Sequence, residues 1–260
     1  MGSPPWPGDV AANVALERTV AMIRTVSPNP NRANFGRCSA CAVRSLSICG
    51  ALDQNDLVEF ERISRHVQLA PNEALFTAGQ IARSVHNVTA GVARLYKLLP
   101  DGRRQIIGFA LPGDFLGTAP SDRYSFSADA IDSVSVCRLS REAFTHFIEQ
   151  RPHFLLRINE FASRELKLAQ EQMLLLGRRT AEEKMASFLV GWRERLAHIG
   201  DERQTIALPM SRQDIADYLG LTIETVSRTL TRFEREKMLI IVAGGVRLLD
   251  ATRAAAMAAA

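Results

Sequence analysis

The sequence predicts an α+β protein in which a small β-barrel or jelly roll is followed by a long helix and a C-terminal winged helix-turn-helix. Three observations favour this fold class. Short segments between residues 67 and 140 alternate with turn residues such as Asp101-Gly102, at the spacings of about 8–12 residues that are typical of a barrel. A helical period begins near Ser140. Further helices and a hairpin turned at Gly244-Gly245 complete the pattern.

Length and composition limit the class of protein. The 260 residues suffice for one large or two smaller domains with a buried core. The apolar fraction of 47% and the charged fraction of 23% exclude collagen-like, mucin-like and wholly disordered chains. The net charge of +4 is too small to indicate a partner, so the local distribution of charge has to decide whether the chain binds nucleic acid.

The sequence contains no membrane or export signal. Its apolar runs are far shorter than the roughly 20 residues that cross a bilayer. Glu17, Arg18 and Arg24 interrupt the N-terminal apolar stretch, which excludes a secretory signal. We therefore expect a cytoplasmic protein without membrane contact.

Changes of pattern divide the chain into five segments. We expect residues 1–36 to be a flexible leader, residues 37–150 to be a sensory barrel that begins with a cysteine-containing loop, and residues 151–177 to be a dimerisation helix. Residues 178–250 then form the winged helix-turn-helix. Residues 251–260 are an alanine-rich tail, which we expect to be a frayed helix.

The long helix, which Pro152 opens, carries a stripe of residues at alternating spacings of 3 and 4, as a two-stranded coiled coil requires. In a parallel dimer the one acidic member, Glu165, would meet its own copy, which is unfavourable unless the carboxyl is protonated or paired. A helix that packs only on its own barrel would also fit the pattern. The expected seam consists of Leu155, Ile158, Ala162, Glu165, Ala169 and Leu176.

Residues 210–240 are the most specific segment. Ser211 and Thr222 can cap two short helices, and Gly220 supplies the turn between them, which predicts a helix-turn-helix. The second helix of this motif enters the major groove of DNA. Its polar face consists of Glu224, Thr225, Ser227 and Arg228, and the residues placed for phosphate contacts are Arg212, Thr222, Thr231 and Arg232. The alternative is a solvated face with an ordinary Glu–Arg pair.

Four cysteines suggest metal or redox chemistry. Cys38, Cys41 and Cys49 follow the spacing Cys-x2-Cys-x7-Cys before the barrel, and Cys137 stands alone near the last strand. Disulfides are rare in cytosolic proteins. Four thiolates suit a [4Fe–4S] cluster, and soft sulfur ligands also suit zinc. Thiol redox chemistry and ordinary buried cysteines remain open from spacing alone.

Together these residues resemble the fumarate–nitrate reduction regulators (FNR) of the cyclic-AMP receptor protein (CRP) superfamily, with the α-proteobacterial branch most similar. The resemblance covers roughly residues 38–250. It is carried by the cysteine segment from Cys38 to Cys49 and by the stretches LYKLLPDGRRQIIGFALPGDFLG, MLLLGRRTAEEKMASFL and IETVSR. The implied barrel is of the cyclic-nucleotide-binding type.

The resemblance implies a cofactor and a DNA site. Cys38, Cys41, Cys49 and Cys137 would ligate a [4Fe–4S] cluster that oxygen converts to a [2Fe–2S] form, which dissolves the active dimer. Glu224, Ser227 and Arg228 match the family's base-reading triad, so the implied operator is a palindrome of TTGAT-like half-sites. Ala169 stands where family members can place an acidic residue that weakens the dimer.

We therefore expect an oxygen-responsive transcription regulator, mainly an activator, of anaerobic or microaerobic genes. Its expected partners are double-stranded DNA, a second copy of the chain and RNA polymerase, the last through the loop and strand around residues 101–113. A thiol- or zinc-based regulator of the same fold and an iron–sulfur electron carrier are the alternatives.

Two further classes of activity are not expected. Binding of cyclic nucleotides is not expected because Asp114 replaces a glutamate of the nucleotide-binding segment and Arg123 is followed by Tyr124. The sequence also contains no nucleophile–base pair and no phosphate loop, so an enzyme is not indicated.

Overall fold

The computed structural model describes residues 36–119 and 121–259, which form two compact units. The barrel unit contains residues 36–97 and Ile107–Leu166, and the winged-helix unit contains Leu98–Ile106 and residues 167–259. Apart from Gly36, the predicted leader lies outside the described residues. No helix within the described part of the chain is long and apolar enough to cross a membrane.

Eight strands form two four-stranded sheets, in the orders β1-β8-β3-β6 and β2-β7-β4-β5. Strand β8 pairs antiparallel with both β1 and β3. The α+β class and the jelly-roll barrel are therefore as predicted. The strands are β1 Ser64–Leu69, β2 Ala74–Phe76, β3 Ser84–Ala90, β4 Ala93–Leu98, β5 Arg104–Ala110, β6 Phe115–Leu116, β7 Ser127–Ala130 and β8 Val134–Ser140.

The barrel core lies between the two sheets. Phe76 and Ala128 from one sheet and Val88 and Val136 from the other are all buried in a single apolar cluster. Side chains alternate across a strand, so the residues between these core positions point outward. This alternation places Asn87 and Cys137 on the outer face of the first sheet.

Helices cover that outer face. A 3₁₀ helix, Ile48–Ala51, precedes α1 (Gln54–Ile63), and α2 (Arg141–Glu149) precedes the long helix α3 (Pro152–Arg178). The rings of Phe60, Phe147 and Phe154 meet edge to face, and they pack with Val85 and Leu139 of the sheet. The start of α3 is thereby fixed to the barrel unit.

Besides the hairpin Leu98–Ile106 and the end of α3, the described part of the winged-helix unit contains four helices and a three-stranded sheet. Its helices are α4 Ala181–His198, α5 Arg212–Leu219, α6 Ile223–Arg235 and α7 Ala251–Ala259, and its strands are β9 Thr205–Ala207, β10 Leu239–Val242 and β11 Gly245–Leu248, in the order β10-β11-β9. Strand β9 was not predicted. The hairpin turn lies one residue earlier than expected, because Gly245 already pairs with Val242 and begins β11.

The C-terminal helix α7 packs against α4, so the expectation of a frayed tail is wrong for the residues described. Ala254 is only 1% exposed. The side chains of Ser187 and Arg179 donate hydrogen bonds to the carbonyl of Ala258. Alanine side chains are small, so they allow the two helices to approach closely.

The hairpin Leu98–Ile106 contacts the first helix of the helix-turn-helix. The Arg104 guanidinium lies 2.6 Å from an Asp214 carboxylate oxygen and 2.8 Å from one of Asp217. Gln105 Nε2 donates to the carbonyl of Asp217 at 2.6 Å. Part of the strand predicted to contact RNA polymerase is therefore engaged with α5.

Candidate cysteine centre and DNA-reading helix

All four cysteines line one cavity of about 30 Å³ in the barrel unit. Cys38 and Cys41 lie in consecutive turns, Cys49 lies in the 3₁₀ helix, and Cys137 lies on β8. The fold thus brings together the local cysteine motif and the isolated cysteine that the sequence assigned to one site.

Helix α1 holds the cysteine loop in place. The Glu61 carboxylate accepts hydrogen bonds from the backbone amides of Arg37, at 2.9 Å, and Cys38, at 3.1 Å. Gly36 lies so close to this carboxylate that a Cβ atom there would be 2.2 Å from Glu61 Oε2. The hydroxyl of Ser47 caps the 3₁₀ helix by accepting from the Cys49 amide. Glu61 was not identified from the sequence.

Strand pairing positions Cys137 and two polar neighbours. Cys137 stands opposite His66 of β1 and Asn87 of β3, and all three line the cavity. Asn87 is 2% exposed, and its Nδ2 donates to Cys49 Sγ at 4.0 Å. Its Oδ1 has no hydrogen-bond partner among the described residues. Asn87 is therefore a buried polar group directed at the cysteine site.

Burial keeps the thiols protonated in the metal-free protein. Desolvation raises the pKa of Cys49 to about 12 and the pKa of Cys137 to about 12, and the neighbouring thiols contribute in the same direction. Burial also raises the pKa of Cys38 and the pKa of Cys41. Metal ligation requires thiolates, so any metal that binds here must displace these protons.

The donor set at this cavity consists of four cysteine thiols. Among the described residues no three Cys, His, Asp or Glu side chains surround one point closely enough to hold a single ion. Four thiols around one cavity supply the four sulfur ligands that a [4Fe–4S] cluster would need. Sulfur ligands also suit zinc.

Helix α6 presents a polar surface opposite its buried side. Ser211 caps α5, Gly220 ends it with φ 61°, and Thr222 caps α6, as predicted. Val226 and Leu230 are fully buried. Their burial fixes which side of α6 faces outward.

The predicted base-reading residues have different surroundings. Glu224 and Arg228 are exposed, and Arg228 Nη2 donates to Thr225 Oγ1 at 3.4 Å. Ser227 is half-buried and accepts a hydrogen bond from Arg212 at 3.3 Å. The structure therefore exposes the two charged residues of the face, and it links the third to a residue that was assigned to phosphate contacts.

The remaining residues assigned to phosphates are also partly engaged within the protein. Thr222 accepts from the Thr225 amide as the N-cap of α6, whereas Thr231 is exposed. Arg232 forms ion pairs with Glu182, at 2.7 Å, and Glu236, at 2.8 Å. A phosphate contact by Arg232 would have to compete with two carboxylates.

The expected seam of α3 does not lie on one surface. Leu155, Ala162, Glu165 and Ala169 are exposed, whereas Ile158 packs on the barrel unit and Leu176 lies beside Gly220. Outside the expected seam, α3 also exposes Leu156, Leu166, Leu168, Met173 and Leu174, and two of these, Leu166 at 61% and Met173 at 72%, continue the spacing of the exposed seam residues. Their helical spacing from Ala162 and Ala169 was the signal that could have identified them.

Comparison with known proteins decides the family. Residues 66–151 match the family described as "Cyclic nucleotide-binding domain", and residues 208–239 match "Bacterial regulatory proteins, crp family". The chain is 64% identical to the transcriptional activatory protein AadR of Rhodopseudomonas palustris, over 86% of this chain and 94% of the relative. The chain belongs to the CRP/FNR family of transcription regulators.

Two further relatives agree with this assignment. The regulator is 57% identical to the nitrogen fixation regulation protein FixK of Bradyrhizobium diazoefficiens, over 86% of this chain and 94% of the relative. It superposes on the structure of FixK2 from Bradyrhizobium japonicum with a TM-score of 0.72 and 36% identity, covering 76% of this chain and 98% of that one. These relatives are regulators and not enzymes, in agreement with the expectation that this CRP/FNR-family protein is not an enzyme.

Proposed function

We propose that this CRP/FNR-family regulator is an oxygen-responsive transcriptional activator that binds a palindrome of TTGAT-like half-sites as a homodimer. The proposed cofactor is a [4Fe–4S] cluster held by Cys38, Cys41, Cys49 and Cys137. The single observation that carries the proposal is the convergence of these four cysteines, from two distant segments, on one cavity.

The chemistry of α6 supports recognition of bases. The exposed Arg228 can donate two hydrogen bonds to the O6 and N7 atoms of a guanine, and the exposed Glu224 can accept from the N4 amine of a cytosine. Ser227 is adjacent to both on the same helix. This surface suits direct readout in the major groove.

The exposed apolar stripe of α3 supports dimerisation. Leu155, Leu166 and Met173 are all more than half exposed. Together with Ala162 and Ala169 they follow the spacing of a coiled-coil seam, which a second copy would cover. A dimer would present two α6 helices to successive major grooves, about one helical turn apart.

The cysteine loop can couple cluster binding to the rest of the barrel unit. When bound, the cluster would supply an oxygen-reactive iron–sulfur group. Cys137 lies on a strand that is paired on both sides, so it is a fixed anchor. Cys38 and Cys41 lie in turns, which are retained by the Glu61 carboxylate, by short-range backbone hydrogen bonds and by a hydrogen bond from Gln54 to Ser39. Ligation would therefore tie the loop to β8.

Activation would also require contact with RNA polymerase. Arg104 and Gln105 are engaged with α5, but Asp101 and Arg103 at the tip of the same hairpin are exposed. We place the proposed polymerase contact at this tip. Cyclic nucleotides are not part of the proposal, and the sequence-based expectation that they do not bind remains a prediction.

The proposal is tested by anaerobic purification followed by iron and sulfide analysis and a visible spectrum before and after aeration. We expect a brown protein with about four irons per chain, because the ligand set holds one cluster. Affinity for a TTGAT-type palindrome should fall on aeration. Cys137→Ser should abolish the colour and lower the iron content, whereas Ser135→Ala on the same strand should change neither.

Two outcomes would contradict the proposal. A colourless protein with stoichiometric zinc would replace the cluster by the zinc-based alternative. Equal operator affinity of the iron-loaded and iron-free protein would show that the cysteine site does not control DNA binding. The electron-carrier alternative leaves the winged helix-turn-helix without a role.

A further inference from the structure

A second cavity, of about 350 Å³, lies in the barrel unit near the ends of β2, β3 and β8. This volume is within the range of small-molecule sites, and the mouths of β-barrels are common places for such sites. The cavity shares no lining residue with the cysteine site. It also contains neither Arg123 nor any residue of the segment 113–117. Its residues are Leu75, Phe76, Gln80, Ile81, Arg83, Ser84, Tyr124 and Arg138.

The cavity is positively charged. Arg83 and Arg138 line it, and no acidic residue does. Within the part of the chain that the structure describes, neither arginine forms an ion pair with a carboxylate, and Arg138 Nε donates to the hydroxyl of Ser84 at 3.1 Å. The fold therefore leaves two guanidinium groups at one cavity without a counter-charge.

Strand pairing adds to the positive charge. Arg138 stands directly opposite Arg65 of β1. Like charges directly opposite each other on neighbouring strands are destabilising. A bound anion would relieve this repulsion, because guanidinium groups form paired, charge-assisted hydrogen bonds with oxyanions.

One part of the cavity wall is aromatic and apolar, beside the polar residues Gln80 and Ser84. The rings of Phe76 and Tyr124 stack at 4.0 Å with an interplanar angle of 15°. The Tyr124 hydroxyl donates to the Ser84 carbonyl at 2.7 Å, which fixes the orientation of its ring. Leu75 extends the apolar surface. Rigid aromatic walls suit a planar apolar group.

We propose that this cavity binds a small molecule that carries a phosphate or similar oxyanion on a planar apolar body. Arg83 and Arg138 contact the anion, and Phe76, Tyr124 and Leu75 contact the body. The site is separate from the cysteine centre and from α6, so it stands or falls independently of the proposed oxygen response.

Phenyl phosphate is the probe, because it joins one phosphate to one aromatic ring. Calorimetric titration of the full-length protein should show saturable binding at one site per chain, with a dissociation constant of about 1 mM or tighter. The double variant Arg83→Gln/Arg138→Gln should bind about tenfold or more weakly, since it loses the charge-assisted contacts. Arg83→Lys/Arg138→Lys should recover part of the affinity.

The matched control is Arg62→Gln/Lys97→Gln, which removes two exposed charges of the same unit outside the cavity. This variant should bind phenyl phosphate like the wild type. Absence of saturable binding to the wild type would overturn the proposal. So would equal affinities of the wild type and the Arg83→Gln/Arg138→Gln variant, or equal losses in that variant and the control. Circular dichroism establishes that each variant is folded.

Discussion

At the scale of single residues, burial determines which side chains of the barrel unit carry charge. His86 is 3% exposed and its ring lies against Phe76, with 5.6 Å between centroids. Burial, together with the positive charge of Arg138, lowers the pKa of His86 from 6.5 to about 4. An apolar environment favours the uncharged form of an ionisable group. His86 is therefore neutral at pH 7.

This neutral histidine predicts a loss of stability in acid. The pKa is lower in the folded than in the unfolded chain, so the unfolded chain binds the proton first as the pH falls. The contribution is fully present above pH 6.5 and is lost between pH 6.5 and about 4. It amounts to at most about 3 kcal/mol, since one pKa unit corresponds to about 1.4 kcal/mol. Urea unfolding of the wild type at pH 7 and pH 4.5 measures it.

His86→Leu is the informative variant for that measurement. It removes the titrating group and keeps an apolar side chain against Phe76, so its stability should depend less steeply on pH over the same range. An equal loss of stability in the wild type and in His86→Leu would show that other groups cause the acid sensitivity.

Arg228 is predicted to determine one base of the operator. Arg228→Ala should lower the affinity for the palindrome by about 1–3 kcal/mol and reduce discrimination at the guanine position. Fluorescence anisotropy with operators that carry or lack this guanine measures both effects. Arg235→Ala removes the same charge from the far end of α6 and should leave discrimination unchanged. If Arg228→Ala still discriminates at the guanine, Arg228 does not read it.

The site residues that could be predicted from the sequence are those that follow a recognisable spacing along the chain. Three cysteines and a distant fourth were assigned to one site, and β8 brings Cys137 to that cavity. Asn87 and Glu61 were not predicted, because their positions beside the cysteines depend on strand register and on the packing of α1. The ion pair between Arg232 and Glu182 likewise joins two helices that no local pattern connects.

At the scale of elements, helix α3 has two faces with different environments. Phe154 is fully buried, and Ile158 and Phe161 pack on the apolar cluster that covers the outer side of the barrel. Leu166 and Met173 lie farther along the helix and are exposed. Packing on the barrel uses one face of α3, and the predicted pairing with a second copy would use another.

The exposed face of α3 is predicted to lose its ability to dimerise when a charge is placed at its centre. Leu166→Asp should convert a dimer to a monomer, because the two buried carboxylates would face each other across the seam. Light scattering coupled to size-exclusion chromatography measures the mass. Lys167→Asp adds negative charge about 100° around the helix from Leu166, away from the seam, and should leave the dimer intact. A dimeric Leu166→Asp variant would exclude this face as the seam.

The helices that could be predicted from the sequence are marked by capping residues close to their ends. Ser211, Gly220 and Thr222 act as caps because their side chains or backbone freedom satisfy helix ends within a few residues. Strand β9 is only three residues long and exists because β11 pairs with it. Helix α7 packs through its contacts with α4. Both features result from tertiary contacts, which periodicity does not reveal.

At the scale of the whole molecule, the chain does not complete one unit before it begins the other. It leaves the barrel unit at Leu98, returns at Ile107 and leaves again after Leu166. Residues 98–106 lie between barrel strands along the chain, so the sequence predicts that they belong to the barrel. Their contacts with α5 come from Arg104 and Gln105, whose partners lie more than a hundred positions away along the chain.

The stability of the winged-helix unit is predicted to depend on Arg104. The Asp214 side chain is 3% exposed, and Arg104→Ala would remove a positive charge 2.6 Å away. We expect the free energy of unfolding to fall by about 1–3 kcal/mol, because the buried Asp214 carboxylate loses its charged partner and keeps neutral ones such as Ser211. Arg103→Ala is the control, because its ion pair with Asp101 is exposed and contributes little. Equal effects of the two substitutions on urea unfolding would contradict this role.

The position of the hairpin Leu98–Ile106 affects the design of protein fragments and domain chimeras. A fragment that starts at residue 167 lacks Arg104, so Asp214 and Asp217 lose the guanidinium that contacts both in the complete chain. A chimera that joins a foreign sensory domain at the same point would carry this defect. Sensor exchange is therefore better attempted by replacing strands on either side of the hairpin while its own nine residues are retained.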